Sequence, residues 1–197
     1  MIHSESPSHT ELIGGVLAGS AYGGLLIVLS GDLGAGKTAL VRAIGQALGV
    51  SDIKSPTFAI ESVHSLPGRG FKLVHADLYR LDAVNDGSET ALQLEEYLSE
   101  TGGRSLLLVE WGERWENSQT TDRWDVIITQ PREADDELTS RRDIEITAYG
   151  MEAISKMALA HAAILDIAAS SSAPAIISHS RVLKDDDIAN DRGPSCH

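Results

Sequence analysis

The segment with the clearest chemical meaning is residues 31–38, which have the sequence GDLGAGKT. It satisfies every fixed position of the phosphate-binding loop pattern G-x-x-x-x-G-K-S/T. Glycines in such a loop let successive backbone N–H groups turn inward around phosphate oxygens, and a helix that begins there favours negative charge. The segment therefore predicts a binding site for a nucleoside triphosphate.

Two elements must position this loop, a strand before it and a helix after it. Residues 25–29 form a short apolar run typical of a buried parallel strand, and residues 39–48 favour a helix that ends near Gly49. In this context we expect Lys37 to reach the β- and γ-phosphates and the Thr38 hydroxyl to take one Mg²⁺ coordination position. The loop residues predicted to contact the nucleotide are Asp32, Leu33, Gly34, Ala35, Gly36, Lys37 and Thr38.

Two acidic residues follow predicted strands. Glu110 comes after the apolar run at 106–109, and Asp77 comes after residues 73–76. Nucleotide turnover needs a carboxylate that holds the metal or orders the attacking water, and ligands of open α/β sheets gather at the carboxyl ends of strands. Both acids are therefore candidates, and the sequence leaves open which of them holds Mg²⁺ and which acts on water.

Thr57 and Trp111 are further candidates, each with two interpretations. Residues 54–57, KSPT, lie one helix after the loop, where switch-type nucleotide proteins place a threonine that senses the γ-phosphate. A proline-containing loop that enters a strand is an equally good interpretation of this segment. Trp111 belongs either to the core or to a stacking position near the site. The histidines show no metal-ligand spacing and are interpreted as structural or surface residues.

The remaining pattern predicts an α/β domain followed by a C-terminal addition. Residues 1–150 form the predicted ATPase domain, 151–169 an extra helix and 170–197 a polar tail. Within the domain the predicted elements are a helix at 8–20 with Ser8 as its N-cap, a hairpin at 58–76, a helix carrying Leu92 to Leu98, and strands at 105–109, 124–129 and 143–149.

Composition restricts the function classes. The formal net charge is −13 at pH 7, which argues against non-specific binding of nucleic acid by a basic surface and leaves a nucleic-acid role to a local patch or a partner. The single cysteine, Cys196, suits a reducing compartment. The first ten residues do not resemble a signal peptide, and no apolar run is long enough to cross a bilayer. We therefore expect a soluble, cytoplasmic protein without a membrane partner.

Four motifs together resemble the TsaE family in order and spacing. They are the loop at 31–38, Ser55-Pro56-Thr57, HADLYRL at 75–81 and VEW at 109–111. Members of that family are small ATPases needed for threonylcarbamoyl modification of the adenosine beside the anticodon of certain tRNAs. The resemblance covers residues 8–150 and is far more specific than the loop alone.

The resemblance implies a fold, an activity and partners. The fold would be a P-loop NTPase three-layer sandwich with a mixed, mostly parallel sheet. The activity would be an Mg²⁺-dependent conversion of ATP to ADP and phosphate, weak without partners. The partners would be the TsaD and TsaB proteins, whose complex the hydrolysis resets, with tRNA held through that complex.

The same resemblance assigns roles to particular residues. Lys37 and Thr38 would bind phosphates and Mg²⁺, Glu110 would be a metal ligand, and Asp77 would act on water or metal. The other implied site residues are Ser55 and Thr57 in a switch-like loop, Trp111 beside the site and Arg142 near the nucleotide. Ala39 is a departure, because many members have a second threonine there.

Two other functions stay open at this point. One is a small P-loop kinase, and the other is a nucleotide-dependent assembly module with little turnover. The sequence lacks the Asn/Thr-Lys-x-Asp element that recognises guanine, which favours ATP over GTP. It also lacks a long arginine-rich helical lid, which argues against a nucleotide kinase.

Overall fold

The structure is a computed structural model that describes residues 1–53, 60–79, 87–99, 104–115, 122–131 and 140–170. Ser55 and Thr57 of the predicted switch-like segment lie outside these ranges, as do residues 171–197 of the predicted tail.

Seven strands and four α-helices make up the described part of the chain. In chain order these elements are β1 (Ile2–Ser4), α1 (Pro7–Ser20), β2 (Leu26–Ser30), α2 (Lys37–Ala47), β3 (Glu61–Ser65), β4 (Lys72–Asp77), α3 (Gly87–Leu98), β5 (Leu106–Glu110), a 3₁₀ turn (Gly112–Arg114), β6 (Arg123–Thr129), β7 (Arg142–Tyr149) and α4 (Met151–Ser170).

The strands form one sheet in the order β1-β7-β6-β2-β5-β4-β3. The four central strands β6, β2, β5 and β4 are parallel, whereas the pairings β1–β7, β6–β7 and β3–β4 are antiparallel. The predicted mixed α/β fold and its hairpin are confirmed. Parallel pairing is limited to the centre of the sheet. For β3 and β4 the antiparallel pairing follows from their connection, residues 66–71, which is too short for a parallel crossover.

Helices cover both faces of this sheet. Along β2, Ile27 and Leu29 pack into one apolar cluster and Leu26 into another, as expected when successive side chains alternate between faces. The first cluster contains residues of α1, α2 and α4, and the second contains Leu94 of α3. Burial on both faces explains why the central strands are continuous apolar runs.

The first helix begins earlier than its sequence pattern predicts. Ser6, not Ser8, is the N-cap, and its hydroxyl accepts a hydrogen bond from the His9 N–H at 3.3 Å. The prediction of Ser8 was wrong because Pro7 is the first helical residue. Proline suits that position since its fixed φ is helical and its missing N–H has no partner to lose.

The last helix is anchored at its start. The Trp124 indole N–H donates to the Ala153 carbonyl at 2.9 Å, and the Ala153 N–H donates to Asp122 Oδ1 at 3.2 Å. Further along α4, Ala160 and Ile164 are buried in the cluster that also contains α1 and α2. None of the helices within the described ranges is long and apolar enough to cross a membrane.

The contact between α1 and α2 requires a small residue at Gly14. A Cβ added there would lie 2.4 Å from the Ala43 Cβ and 3.0 Å from the Ala43 carbonyl carbon. At the next position, Gly15, an added Cβ meets nothing within 4 Å. A side chain at position 14 would therefore clash with α2, whereas position 15 has room for one.

We predict that Gly14→Ala destabilises the protein and that Gly15→Ala stabilises it. Alanine at position 15 should raise the free energy of unfolding by about 0.5–1 kcal/mol through helix propensity. Alanine at position 14 should lower it by about 1–3 kcal/mol, because overpacking exceeds that gain. Denaturant unfolding of both variants is the measurement, and stabilisation by both would contradict the close packing of α1 on α2.

Candidate functional site

The parallel register brings the two candidate acids to the same edge of the sheet. Asp77 is the last residue of β4, Glu110 is the last residue of β5, and the two are Cα partners. Glu110 shares its face of β5 with Leu106 and Leu108, which pack in the cluster that contains α2. The carboxylates therefore lie beneath the start of α2.

The glycine loop, residues 31–38, leads from β2 into α2 in a conformation that favours glycine at positions 31 and 36. Gly31 has φ 138°, and a Cβ there would lie 2.2 Å from the Ile128 carbonyl oxygen. Gly36, with φ 114°, is the N-cap of α2, which begins at Lys37. The positive end of the helix dipole consequently points into the loop, an arrangement that favours an anion.

Lys37 folds back onto its own loop. Its ammonium donates to the Gly31 carbonyl at 2.6 Å and to the Asp32 carbonyl at 3.0 Å, and the residue is 4% exposed. The ammonium also lies 3.5 Å from the centre of the Trp111 ring, within the range of a cation–π interaction. Burial lowers the pKa of Lys37, while the nearby carboxylates, chiefly Glu113 and Glu110, act in the opposite direction.

Glu110 is held at both carboxylate oxygens. The Thr38 hydroxyl donates to Oε2 at 2.7 Å, and His75 Nε2 lies 2.9 Å from Oε1. The Glu110 side chain is 2% exposed and that of His75 0%. A carboxylate only accepts hydrogen bonds, so the pairing assigns the proton of the shared contact to His75 Nε2.

Asp77 is less buried and has a local partner. Its Oδ1 accepts a hydrogen bond from the Tyr79 N–H at 3.0 Å, and its own N–H donates to the Ile60 carbonyl at 2.9 Å. Two carboxylates at opposed positions of neighbouring strands repel each other. The pair therefore favours a cation between or beside them.

An aromatic group borders the same edge. Trp111 has a left-handed backbone with φ 60°, and its N–H donates to the Leu29 carbonyl at 2.9 Å. The Tyr79 ring lies 4.9 Å from the Trp111 ring, and the Arg114 guanidinium lies 5.4 Å from the centre of the Tyr79 ring. Trp111 lies against the Lys37 ammonium beside the loop and also packs on the apolar cluster that contains Leu26 and Leu94, so it has features of both positions.

A cavity of about 240 Å³ opens on the other side of the glycine loop. It is formed by the start of α1, one side of α2, and the strands β6 and β7. Arg142 lines it and donates through Nε to the Ala35 carbonyl at 2.7 Å. The other lining residues include Ser6, Thr10, Glu11, Gly36, Ala39, Arg42, Ala43, Gln46 and Ser140.

The predicted residues fall into three groups in the structure. Those brought together at the strand ends are Lys37, Thr38, Asp77, Glu110 and Trp111. Arg142, Ala35 and Gly36 lie at the cavity on the far side of the loop. Asp32, Leu33 and Gly34 are exposed at the tip, with Leu33 76% exposed. Ser55 and Thr57 lie outside the described residues.

His75 is the site residue that the sequence interpretation missed. The sequence pattern groups it with the structural and surface histidines, because it lacks metal-ligand spacing. Its position two residues before Asp77 in the same strand places both on one face of β4, and this spacing is the signal that identifies it. In the described ranges, no three His, Cys, Asp or Glu residues form a metal-binding group. Mg²⁺ does not require one, since it uses one or two carboxylates with phosphate oxygens and water.

Comparison with known proteins identifies relatives of the whole site region. The family model described as "Threonylcarbamoyl adenosine biosynthesis protein TsaE" matches residues 4–142. A "tRNA threonylcarbamoyladenosine biosynthesis protein TsaE" from Streptomyces coelicolor is 41% identical over 139 residues, which are 70% of this chain and 89% of that protein. The protein of the same name from Bacillus subtilis is 36% identical over 149 residues, which are 74% and 83% of the two chains.

The crystal structure of YdiB from Bacillus subtilis has a similar fold. Its TM-score is 0.63 at 25% sequence identity, and the match covers 83% of this chain and 97% of YdiB.

The hydrogen bond from Thr38 to Glu110 can be tested by stability. Thr38→Val should lower the free energy of unfolding by about 1–3 kcal/mol, because a buried carboxylate oxygen loses its donor. Thr38→Ser keeps the hydroxyl and should cost less than about 1 kcal/mol. Denaturant unfolding near pH 7 gives both values. Equal stability of the two variants would show that this contact adds nothing to the fold.

Proposed function

The chain belongs to the TsaE family, and on this premise we propose that it binds and hydrolyses ATP with Mg²⁺ in tRNA threonylcarbamoyladenosine modification. The observation that carries the proposal is the 2.7 Å hydrogen bond between Thr38 and Glu110. It joins the hydroxyl of a phosphate-loop pattern to an acid at the end of the adjacent parallel strand. A nucleoside triphosphate and its metal need both groups at one place. We accordingly assign the α/β fold to the P-loop NTPase class.

The donor set fits Mg²⁺. The Thr38 hydroxyl and the carboxylates of Glu110 and Asp77 are oxygen ligands, which this hard cation prefers. Bound there, the metal would neutralise charge on the β- and γ-phosphate oxygens. These residues would hold it together with oxygens from the nucleotide and water.

Lys37 would exchange partners when phosphate binds. In the structure its donors are used by the carbonyls of Gly31 and Asp32. Phosphate oxygens carry more charge than carbonyls and make stronger hydrogen bonds with an ammonium, so the exchange is favourable. Asp77, the less buried of the two acids, is the better placed to orient an attacking water. Trp111 would limit the access of solvent to this side of the loop.

The cavity beside the loop would receive the adenosine part of ATP. Ala39 follows Thr38 on α2 and lines the cavity, so a nucleotide whose terminal phosphates lie at Lys37 and Thr38 would reach into it. The lining includes Glu11 and Gln46, exposed polar residues whose side chains can bond to ribose or base. The absence of a guanine-recognition element favours adenine.

The proposed partners are the TsaD and TsaB proteins, whose complex the hydrolysis would reset. The relatives named above are described as tRNA threonylcarbamoyladenosine biosynthesis proteins, which supports the pathway. With a net charge of −13 this chain is unsuited to hold tRNA alone, so the RNA would be bound mainly by the partners. Residues 1–150 would form the ATPase domain with α4 as an addition, and the protein would act in the cytoplasm.

One test of the proposed function measures ATP hydrolysis. ATP consumption by the purified protein should rise when the TsaB and TsaD proteins of the same organism are added. Asp77→Ala or Glu110→Ala should lower the stimulated rate by about 100-fold or more, as expected for groups that act on water or metal. Phosphate release is the measurement, and Glu145→Ala on the exposed side of β7 is the matched control.

Two outcomes would contradict the proposal in different ways. Transfer of phosphate to a small acceptor, without release, would favour a kinase. Partner binding and tRNA modification that both survive the loss of hydrolysis in Asp77→Ala or Glu110→Ala would favour an assembly module.

Another test concerns the binding of the nucleoside in the cavity. Ala39→Leu fills the space beside the loop and should lower ATP affinity by about tenfold or more. Its affinity for inorganic triphosphate, which has no nucleoside, should change by less than about twofold. Ala47→Leu, on an exposed part of α2 outside the cavity, should leave both affinities unchanged. An equal loss for ATP and triphosphate in Ala39→Leu would place the nucleoside elsewhere.

A further inference from the structure

His75 is a buried polar residue whose described partner is the acid at the centre of the site. Its side chain is 0% exposed, and its Nε2 lies 2.9 Å from Glu110 Oε1. It stands on β4 opposite Leu108 of β5, so Glu110 is its diagonal neighbour two residues further along. Diagonal neighbours are within reach of a long side chain such as histidine.

We propose that His75 is a positioning residue for the metal site, which fixes the Glu110 carboxylate so that Oε2 faces Thr38. This inference rests on the proposed function, because it assigns His75 a task in binding nucleotide-associated Mg²⁺. His75 touches neither metal nor nucleotide in this proposal. It acts through the orientation of Glu110.

The physical reason is the burial of Oε1. A carboxylate oxygen without a donor in an apolar environment costs free energy, so Glu110 would rotate or move to find one. The His75 N–H supplies that donor. His75 belongs to β4, whose side chains pack into the apolar clusters on both faces of the sheet. With Oε1 held there, the position of Oε2 is fixed, and the Thr38 hydroxyl donates a hydrogen bond to Oε2 at 2.7 Å.

The other ring nitrogen supports this assignment. Among the described residues, His75 Nδ1 is buried and has no hydrogen-bond partner. If Nδ1 carried a proton, a buried N–H would be left unsatisfied, which costs more than a lone pair without a donor. A proton on Nε2 rather than on Nδ1 therefore satisfies Glu110 at the smaller cost.

The alternative is that His75 only fills space in the core. A purely structural histidine would affect stability but not the metal dependence of nucleotide binding. Residues that orient metal-binding carboxylates typically change metal affinity by about 10–100-fold when they are removed. The two explanations therefore differ in one measurable quantity.

The test compares His75→Leu, which lacks a donor, with His75→Gln, whose amide nitrogen reaches the place of Nε2. ADP affinity is measured by calorimetry in EDTA and across an Mg²⁺ titration. For His75→Leu we expect metal-free affinity within about twofold of wild type and an Mg²⁺ requirement raised about tenfold or more. His75→Gln should restore most of the Mg²⁺ response, and His161→Leu on α4 is the matched control.

A spectroscopic readout accompanies the binding data. Mn²⁺ in place of Mg²⁺ gives an electron paramagnetic resonance signal for the metal bound with ADP. The dissociation constant of Mn²⁺ should rise in His75→Leu by the same factor as the Mg²⁺ requirement. In His75→Gln it should be close to the wild-type value. If His75→Leu does not fold, His75→Asn replaces it, because the asparagine amide is too short to reach Oε1.

The failures of the two proposals are distinguishable. A wild-type protein that does not bind ADP would refute the proposed function. ADP binding strengthened by Mg²⁺ in wild type, with an equal Mg²⁺ response in the leucine or asparagine variant, would refute the positioning role alone. Equal loss in the glutamine variant would also refute it, because the donor would then not be what matters.

Discussion

The buried carboxylate of Glu110 is the constraint on which the site depends. At 2% exposure the Glu110 carboxyl oxygens need hydrogen-bond partners inside the protein, and here they are a threonine hydroxyl and a histidine ring nitrogen. Those donors come from the first turn of α2 and from β4, while Glu110 ends β5. One side chain thus ties the helix after the glycine loop to two parallel strands, and a slip of either strand by one residue would break the connection.

The lysine side of the site is arranged differently. Lys37 satisfies its donors with carbonyls of its own loop and lies against the ring of Trp111. A ligand bound at Lys37 would have to replace these contacts, and part of its interaction free energy would be used to open the loop. Glu110 is already oriented by its two donors. The two halves therefore differ in preorganisation, and the lysine half is the one that would rearrange if an anion bound.

Local patterns were sufficient to predict much of this arrangement. The glycine loop, the apolar central strands and the two strand-end acids follow from motif and periodicity, since each depends on neighbours in sequence. The contact of His75 with Glu110 depends on the register of β4 against β5, which no local pattern contains. The same holds for the cavity, which joins parts of α1, α2 and β7. The predicted N-cap of α1, Ser8, lies two residues too late in the chain, because Pro7 favours the first helical position.

The glycine loop lies between the acidic residues at the strand ends and the cavity. Sheet residues supply the acids on one side, and the cavity between α1, α2 and β7 lies on the other. The walls of that cavity depend on how α1 sits, and α1 is held by the close approach of Gly14 to Ala43 and by the packing of α4. The helix α4 follows the segment matched by the family model, residues 4–142, and packs in the same apolar cluster as α1. Changes that move α1 would therefore alter the shape of the cavity while the carboxylate arrangement at the strand ends is preserved.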